Sequence, residues 1–252
     1  MNENEYISKI ENCKSLKELF DIWEHKEPQT INIGKRKKRD IVINHKKNFF
    51  IYDGIVCENK WNDKNNKKIL FMLKESYTTD EKNDLMKWLR NGDGYIRMWK
   101  RIARWTCGLV NTTAEKVYDF DKAEAIKDGE GREMLKKIAV INLKKSNGKS
   151  SSDMAEVNAY ASADKKEILK EIELIDPKMI VCGGTFDSLR LDVMYPHIEK
   201  KEQQFYRIKI AGKDRLVLDY KHPSCWGTNK DKYYGLMAIY QQALKNALKT
   251  QE

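Results

Sequence analysis

ILFMLKESY, Ile69–Tyr77, is the stretch that decides how this chain is read. Five apolar residues follow the polar segment Asn59–Lys68 and stop abruptly at Lys74, Glu75, Ser76 and Tyr77. A short apolar run with polar residues on both sides predicts a strand covered on both faces. Ligands of open α/β sheets sit just beyond the carboxyl ends of such strands. Glu75 therefore stands where a catalytic carboxylate would act, although Lys74 and Glu75 also suit an ordinary solvated strand exit.

Two further runs of the same kind follow. Ile138–Leu143 (IAVINL) carries Asn142 at its carboxyl end, and Met179–Cys182 (MIVC) runs into the turn Gly183-Gly184-Thr185. Between them, Asp164 is placed to cap a helix reaching Ile175, with Ile168, Leu169, Ile172 and Ile175 inward, and Asp176-Pro177 breaks it. Phe205–Ile210 and Arg215–Leu218 predict a hairpin around Ala211-Gly212-Lys213. Its second arm leads into Tyr220–Gly227 and a last amphipathic helix from about Asp231. Apolar strands separated by helices predict a three-layer α/β/α domain with a central, mostly parallel sheet. That domain spans residues 69–252, with 1–68 as an N-terminal helix and strand elaboration packed on it. In the N-terminal part, Ser15 and Glu18 form a capping box ahead of a short helix with Leu16, Leu19, Phe20 and Trp23 on one face. Asp40–His45 and Asn48–Val56 read as short strands, the second broken by the turn signal Asp53-Gly54.

The balance of 48 Lys+Arg against 38 Asp+Glu, a formal charge of +10, favours a polyanionic partner such as nucleic acid. The run Lys35–Arg39 suits either phosphate contact or a solvated loop. From about Tyr95 to Cys107 a helix is expected, with Met98, Ile102, Trp105 and Leu109 inward. Arg97, Arg101 and Arg104 form a second stripe at helical spacing beside Trp99, fit for a phosphate backbone or for plain solvation. The 5 cysteines are scattered without a CxxC pair, which signals neither zinc nor an iron–sulfur cluster and fits a reducing cytoplasm. The start lacks the apolar core of a signal peptide, and no run approaches membrane-spanning length, so no membrane partner is expected.

The chemistry-bearing residues beyond the strand ends are Glu75, Asn142 and His222. A carboxylate orients water or stabilises a cation, an amide offers both donors and an acceptor to a base edge, and an imidazole donates to a developing oxyanion. Pro223 fixes the backbone after His222. His25, His45 and His197 lack such a setting, and no nucleophile elbow, HExxH or Walker motif occurs.

At these residues the chain resembles the uracil-DNA glycosylase superfamily, as a divergent member. ILFMLKESY is similar to the family's first motif, a strand entering a loop with an acidic or Asn residue. GDGYIRMWKRIARWTCGL resembles the loop and helix that follow it. IAVINLKK is similar to the strand ending in the base-recognising Asn, and KEILKEIELIDPKMIVCGGT to the helix–Asp-Pro-Lys–strand–Gly segment. His222-Pro223-Ser224 resembles the His-Pro-Ser motif before the last helix. The likeness covers about Ile69–Leu244. It departs at Lys74, Ser76 and Tyr77, where the family usually has Gly before its acidic residue and Pro soon after, and at Cys225.

The resemblance implies a hydrolase that flips a pyrimidine, uracil or modified, out of DNA and cleaves its N-glycosidic bond. It assigns Glu75 to water activation or cation stabilisation, His222 to the departing base, and Asn142 to base reading, with Tyr77 as a wall or stacking platform. Ser224 falls at a phosphate-contacting position and Trp226 at the wedge inserted into the duplex. Arg97, Arg101 and Arg104 would support the DNA. No cofactor and no metal are expected. Two rivals are a non-catalytic nucleic-acid-binding module on the same fold and a hydrolase of free nucleotides or nucleosides.

Overall fold

The computed structural model describes residues 2–33, 39–46, 49–77, 83–93, 95–194 and 196–249. Most of the basic run (35–38), with Asn48 and Gly94, lies outside them. Ten strands are present among the described residues: β1 (Gln29–Ile33), β2 (Arg39–Ile43), β3 (Ile51–Tyr52), β4 (Gly54–Ile55), β5 (Ile69–Glu75), β6 (Asn83–Asp84), β7 (Ile138–Lys144), β8 (Met179–Gly183), β9 (Phe205–Ile210) and β10 (Lys213–Tyr220). Helices α1 (Glu3–Asn12), α2 (Leu16–Trp23), α3 (Glu58–Trp61) and α4 (Leu85–Asn91) fall in the first part. Then come α5 (Arg97–Asn111), α6 (Phe120–Glu124), α7 (Asp128–Leu135), α8 (Met154–Ala163), α9 (Lys165–Ile175), α10 (Phe186–Ser188) and α11 (Asn229–Lys249).

Six strands form one sheet in the order β4-β7-β5-β8-β10-β9. The four central strands run parallel, while β4 and β9 are antiparallel edges. Numbered along the chain, the parallel strands lie in the order 2-1-3-4. The topological switch point is therefore between β5 and β8, beyond their carboxyl ends.

The apolar runs are apolar because both faces of the sheet are covered. On one face Phe71, Leu73, Val140, Val181 and Leu218 pack with Trp99, Ile102, Trp105, Tyr233 and Leu236 of α5 and α11. On the other, Leu70, Met72, Ile141, Ile180 and Val217 pack with Leu19, Phe20 and Trp23 of α2, Val157 of α8, and Ile168 and Ile172 of α9. Each such buried side chain contributes about 1.5–3 kcal/mol relative to exposure. The N-terminal segment thus supplies part of the second core, and β4 is an edge of the main sheet.

Local signals mostly act as their chemistry dictates. Ser15 caps α2 by accepting from the Glu18 N–H at 3.2 Å, but the Glu18 carboxylate reaches the Lys14 N–H and not that of Ser15. Asp164 precedes α9 without capping it, because its carboxylate is drawn to Lys26 and His45. Asp176 ends α9 in the left-handed region at φ 51°, and the buried Arg215 grips this Asp-Pro turn through the Asp176 carboxylate (3.1 Å) and the Pro177 carbonyl. The helix expected from Tyr95 starts at Arg97 and runs on to Asn111.

Candidate functional site

The carboxyl ends of β5, β7, β8 and β10 bring the sequence-predicted residues to one edge, where they divide into two groups. Glu75 and Asn142 belong to the closed group. Glu75 pairs in register with Lys144 across the β5–β7 ladder. Its side chain is only 4% exposed, and its Oε2 accepts from Lys144 Nζ at 3.1 Å. Lys144 also bonds Glu156 of α8 at 2.7 Å. Burial opposes charge on Lys144, but the Glu156 and Glu75 carboxylates outweigh it and raise its pKa above the ordinary lysine value. The other oxygen, Glu75 Oε1, is buried without a hydrogen-bond partner among the described residues. Gly148 covers this carboxylate: a Cβ there would stand 2.7–2.9 Å from Glu75 side-chain atoms. The Gly148 N–H holds its loop down by donating to the Ser76 carbonyl at 2.7 Å.

Asn142 is 1% exposed. Its backbone N–H and its side-chain Nδ2 both donate to Asp53 Oδ2, at 2.7 and 3.1 Å. Asp53 in turn pairs with the fully buried Lys145, which also meets Glu171 of α9 at 2.8 Å. Burial and the neighbouring Asp53 push Glu171 well above the ordinary carboxylate range, against the pull of Lys145. The residue read from sequence as a turn marker, Asp53, is thus the acceptor that holds the Asn142 amide.

The open group lies on the other side of β5. His222 follows β10 by two residues, half-buried, with Ser224 exposed beside it. The Ser224 N–H donates to His222 Nδ1 at 3.2 Å, and Ser224 Oγ lies 2.6 Å from the same nitrogen. A backbone N–H can only donate, so Nδ1 is an acceptor and a neutral ring carries its proton on Nε2. Burial, reinforced by the positive charge of Lys74, lowers the His222 pKa to about 4, so the ring is neutral at pH 7. The strand ends are packed through the diglycine turn. A Cβ on Gly183 would stand 2.9 Å from Leu73 Cδ2 and 3.2 Å from Pro223 Cδ. Thr185 Oγ1 donates to the Met72 carbonyl at 2.8 Å.

Of the arginine stripe, Arg97 is exposed and Arg104 half-buried, 3.8 Å from Glu124. Arg101 is 3% exposed. Its guanidinium bonds Asn229 Oδ1 at 2.7 and 3.0 Å and also the Pro223 carbonyl, so it braces the His222 loop against α11. Burial lowers its pKa, with Arg97 and Arg104 adding to the effect and Cys225 opposing it. Trp99 faces the core, not the stripe. Tyr77 is 62% exposed and Trp226 fully so.

A Ser-His-Asp chain is also present, and sequence reading passed over its histidine. His45 Nδ1 lies 3.1 Å from Ser146 Oγ and its Nε2 3.0 Å from Asp164 Oδ2. All three side chains are buried, ringed by Trp23, Phe50 and Tyr160, and Asp164 is already paired with Lys26 at 2.9 Å. A nucleophile needs substrate access; this chain joins β2, β7 and α9 from inside the core. Clefts of about 420, 490 and 180 Å³ open elsewhere on the surface, and Glu75, Asn142 and His222 line none of the three. Among the described residues no group of three His, Cys, Asp or Glu side chains is arranged to hold a metal, and no helix is long and apolar enough to cross a membrane. No protein-family model matches the chain, and no curated protein matches it.

Proposed function

We propose that this chain is a DNA glycosylase-like hydrolase on a uracil-DNA glycosylase-like α/β/α fold, excising a flipped pyrimidine by hydrolysis of its N-glycosidic bond. The observation that carries the reading is His222. A neutral imidazole, with Nδ1 occupied by the Ser224 N–H, presents an Nε2–H donor beside the switch point of a parallel sheet. A donor fixed before reaction is suited to an oxygen that becomes negative as a base departs. Glu75, at the end of the adjoining strand, is a fixed negative charge for the developing sugar cation. Gly148 lies over it, so engagement of substrate by Glu75 requires the segment after β7 to withdraw. The basic charge balance and the exposed Trp226 and Arg97 fit a nucleic-acid partner.

The test is release of free base from oligonucleotides carrying uracil or other altered pyrimidines. His222→Ala is expected to slow release about 100- to 1,000-fold, the usual effect of removing one oxyanion donor. Glu75→Ala is expected to abolish it. Unchanged rates in both variants overturn this assignment of roles.

A second reading is favoured by the closed group: the Glu75 carboxylate pairs with Lys144, and the Asn142 amide bonds Asp53. With both side chains committed internally, the chain would be a nucleic-acid-binding module without catalysis. Tight, salt-sensitive DNA binding with no base release across the panel would select that reading.

A further inference from the structure

Lys74 departs from the family resemblance, standing where the family usually has Gly. It follows the last core residue of β5, at the switch point. The position a Gly184 side chain would occupy lies 3.4 Å from Lys74 Cε, 3.4 Å from the His222 backbone nitrogen and 3.6 Å from His222 Cβ. Gly184 is itself left-handed, at φ 68°, which favours glycine. Lys74 and His222 thus both approach the one position that Gly184 leaves without a side chain.

The other lysines at this edge behave differently. Lys144 is held by two carboxylates, and so is Lys145. Lys74 makes no ion pair with a carboxylate among the described residues, and Glu75 next to it is already paired. Around the His222 ring stand Lys74 from β5 and Ser224 from its own loop, while Arg101 of α5 is turned onto the Pro223 carbonyl. Among the described residues the site is therefore positive, with no carboxylate paired to Lys74.

We infer that Lys74 and His222 flank an anion subsite over Gly184, and that its ligand is an anionic pyrimidine: the departing base in the reaction proposed above, on which this inference rests. Lys74 supplies the charge and His222 Nε2 the directed hydrogen bond. The field that disfavours an imidazolium at this position favours, for the same reason, negative charge placed against the ring. Leaving-group stabilisation is then shared between two residues, and a lysine takes a place in the chemistry of the base.

The experiment uses the full chain with Lys74→Gln, which removes the charge, and Lys74→Arg, which keeps it. The probe is barbiturate, a pyrimidine that is an anion at neutral pH, with binding followed through the His222 ring resonances. Binding is expected in the wild type, to weaken about tenfold or more in Lys74→Gln, and to survive in Lys74→Arg. In the same samples the His222 titration midpoint is expected to rise in Lys74→Gln and to stay low in Lys74→Arg, which checks that the Lys74 charge reaches the ring. A wild type that does not bind barbiturate, or a Lys74→Gln protein with unchanged affinity or unchanged His222 midpoint, overturns the inference. Base release is scored separately. A wild type that binds barbiturate through Lys74 yet releases no base sinks the proposed activity and leaves the subsite standing. One that releases base at a rate indifferent to Lys74→Gln does the reverse.

Discussion

The two halves of one sheet edge handle charge in opposite ways. On the β7 side every cation is answered: Lys144 by Glu75 and Glu156, Lys145 by Asp53 and Glu171. The Asn142 amide and the Glu75 carboxylate are drawn into the same network, beneath Gly148. On the β8–β10 side, Lys74 faces a neutral His222, and Trp226 stands fully in solvent. A buried ion pair costs much to desolvate and more to break, so a saturated network fixes geometry, and a member such as Glu75 meets anything else only after its pair opens. A charge with no carboxylate partner among the described residues, next to a half-exposed donor, adds little to the fold and has its interactions to give. The difference separates side chains closed into an internal network, Glu75 and Asn142 among them, from those whose donors and charge stand open.

The sharpest way to break this comparison is to remove a cation from the saturated half. Lys145→Met leaves Asp53 and Glu171 buried without their common partner, and the cost expected for an uncompensated buried charge is about 3–5 kcal/mol. Urea unfolding of the variant is expected to show that loss at neutral pH. A change below about 1 kcal/mol would mean that the network is not what closes the β7 side. Protonation of Glu171, which burial already pushes well above the ordinary carboxylate range, relieves part of the penalty, so the deficit shrinks as pH falls.

The open half has a weaker pH signature, confined to the window of one ring. His222 titrates at about 4 in the fold against an ordinary 6.5, so between those values the unfolded chain binds more protons than the folded one. The contribution of the neutral ring is whole above pH 6.5, declines as pH falls, and is gone below about 4. In His222→Ala that share of the acid limb disappears, and the difference between variant and wild type, measured by unfolding at a series of pH values, narrows over the same window. A difference that stays constant from pH 7 to pH 4 would show that the ring is not held neutral. Base release in the wild type should likewise pass through pH 6.5 without the loss expected from an ordinary histidine.

How far the sequence foretold this follows from the range of the forces involved. The runs Ile69–Leu73, Ile138–Leu143 and Met179–Cys182 were legible because a strand covered on both faces has to be apolar along its length. The hairpin and the Asp176-Pro177 break were legible because turn chemistry is local. What the sequence concealed is pairing at a distance. Asp53 stands 89 residues from Asn142 and 92 from Lys145, so a turn-like Asp-Gly gave no sign of a buried acceptor. His45 lies 119 residues from Asp164 and Arg101 122 from Pro223. A stripe of three arginines looks uniform along a helix until a loop from elsewhere in the chain covers the middle one.

Trp226 offers the smallest expected change in stability and a clean separation of fold from function. Its side chain is fully exposed, so truncation removes no packing, and Trp226→Ala is expected to shift unfolding by no more than about 0.5 kcal/mol. The Arg101 bond to the Pro223 carbonyl and the Lys232 bond to the Cys225 carbonyl keep the backbone of its loop in place without it. A residue that costs a large exposed indole and returns nothing to the fold is suited to insertion against bases, where stacking is worth about 1–3 kcal/mol per base. Trp226→Ala is therefore expected to weaken binding to an oligonucleotide about 5- to 150-fold at fixed salt while leaving the salt slope unchanged, because no phosphate contact is lost. Equal affinity in variant and wild type would remove the wedge from this loop. A reduced slope would make Trp226 a support for the phosphate-binding cations and not a reader of the stack.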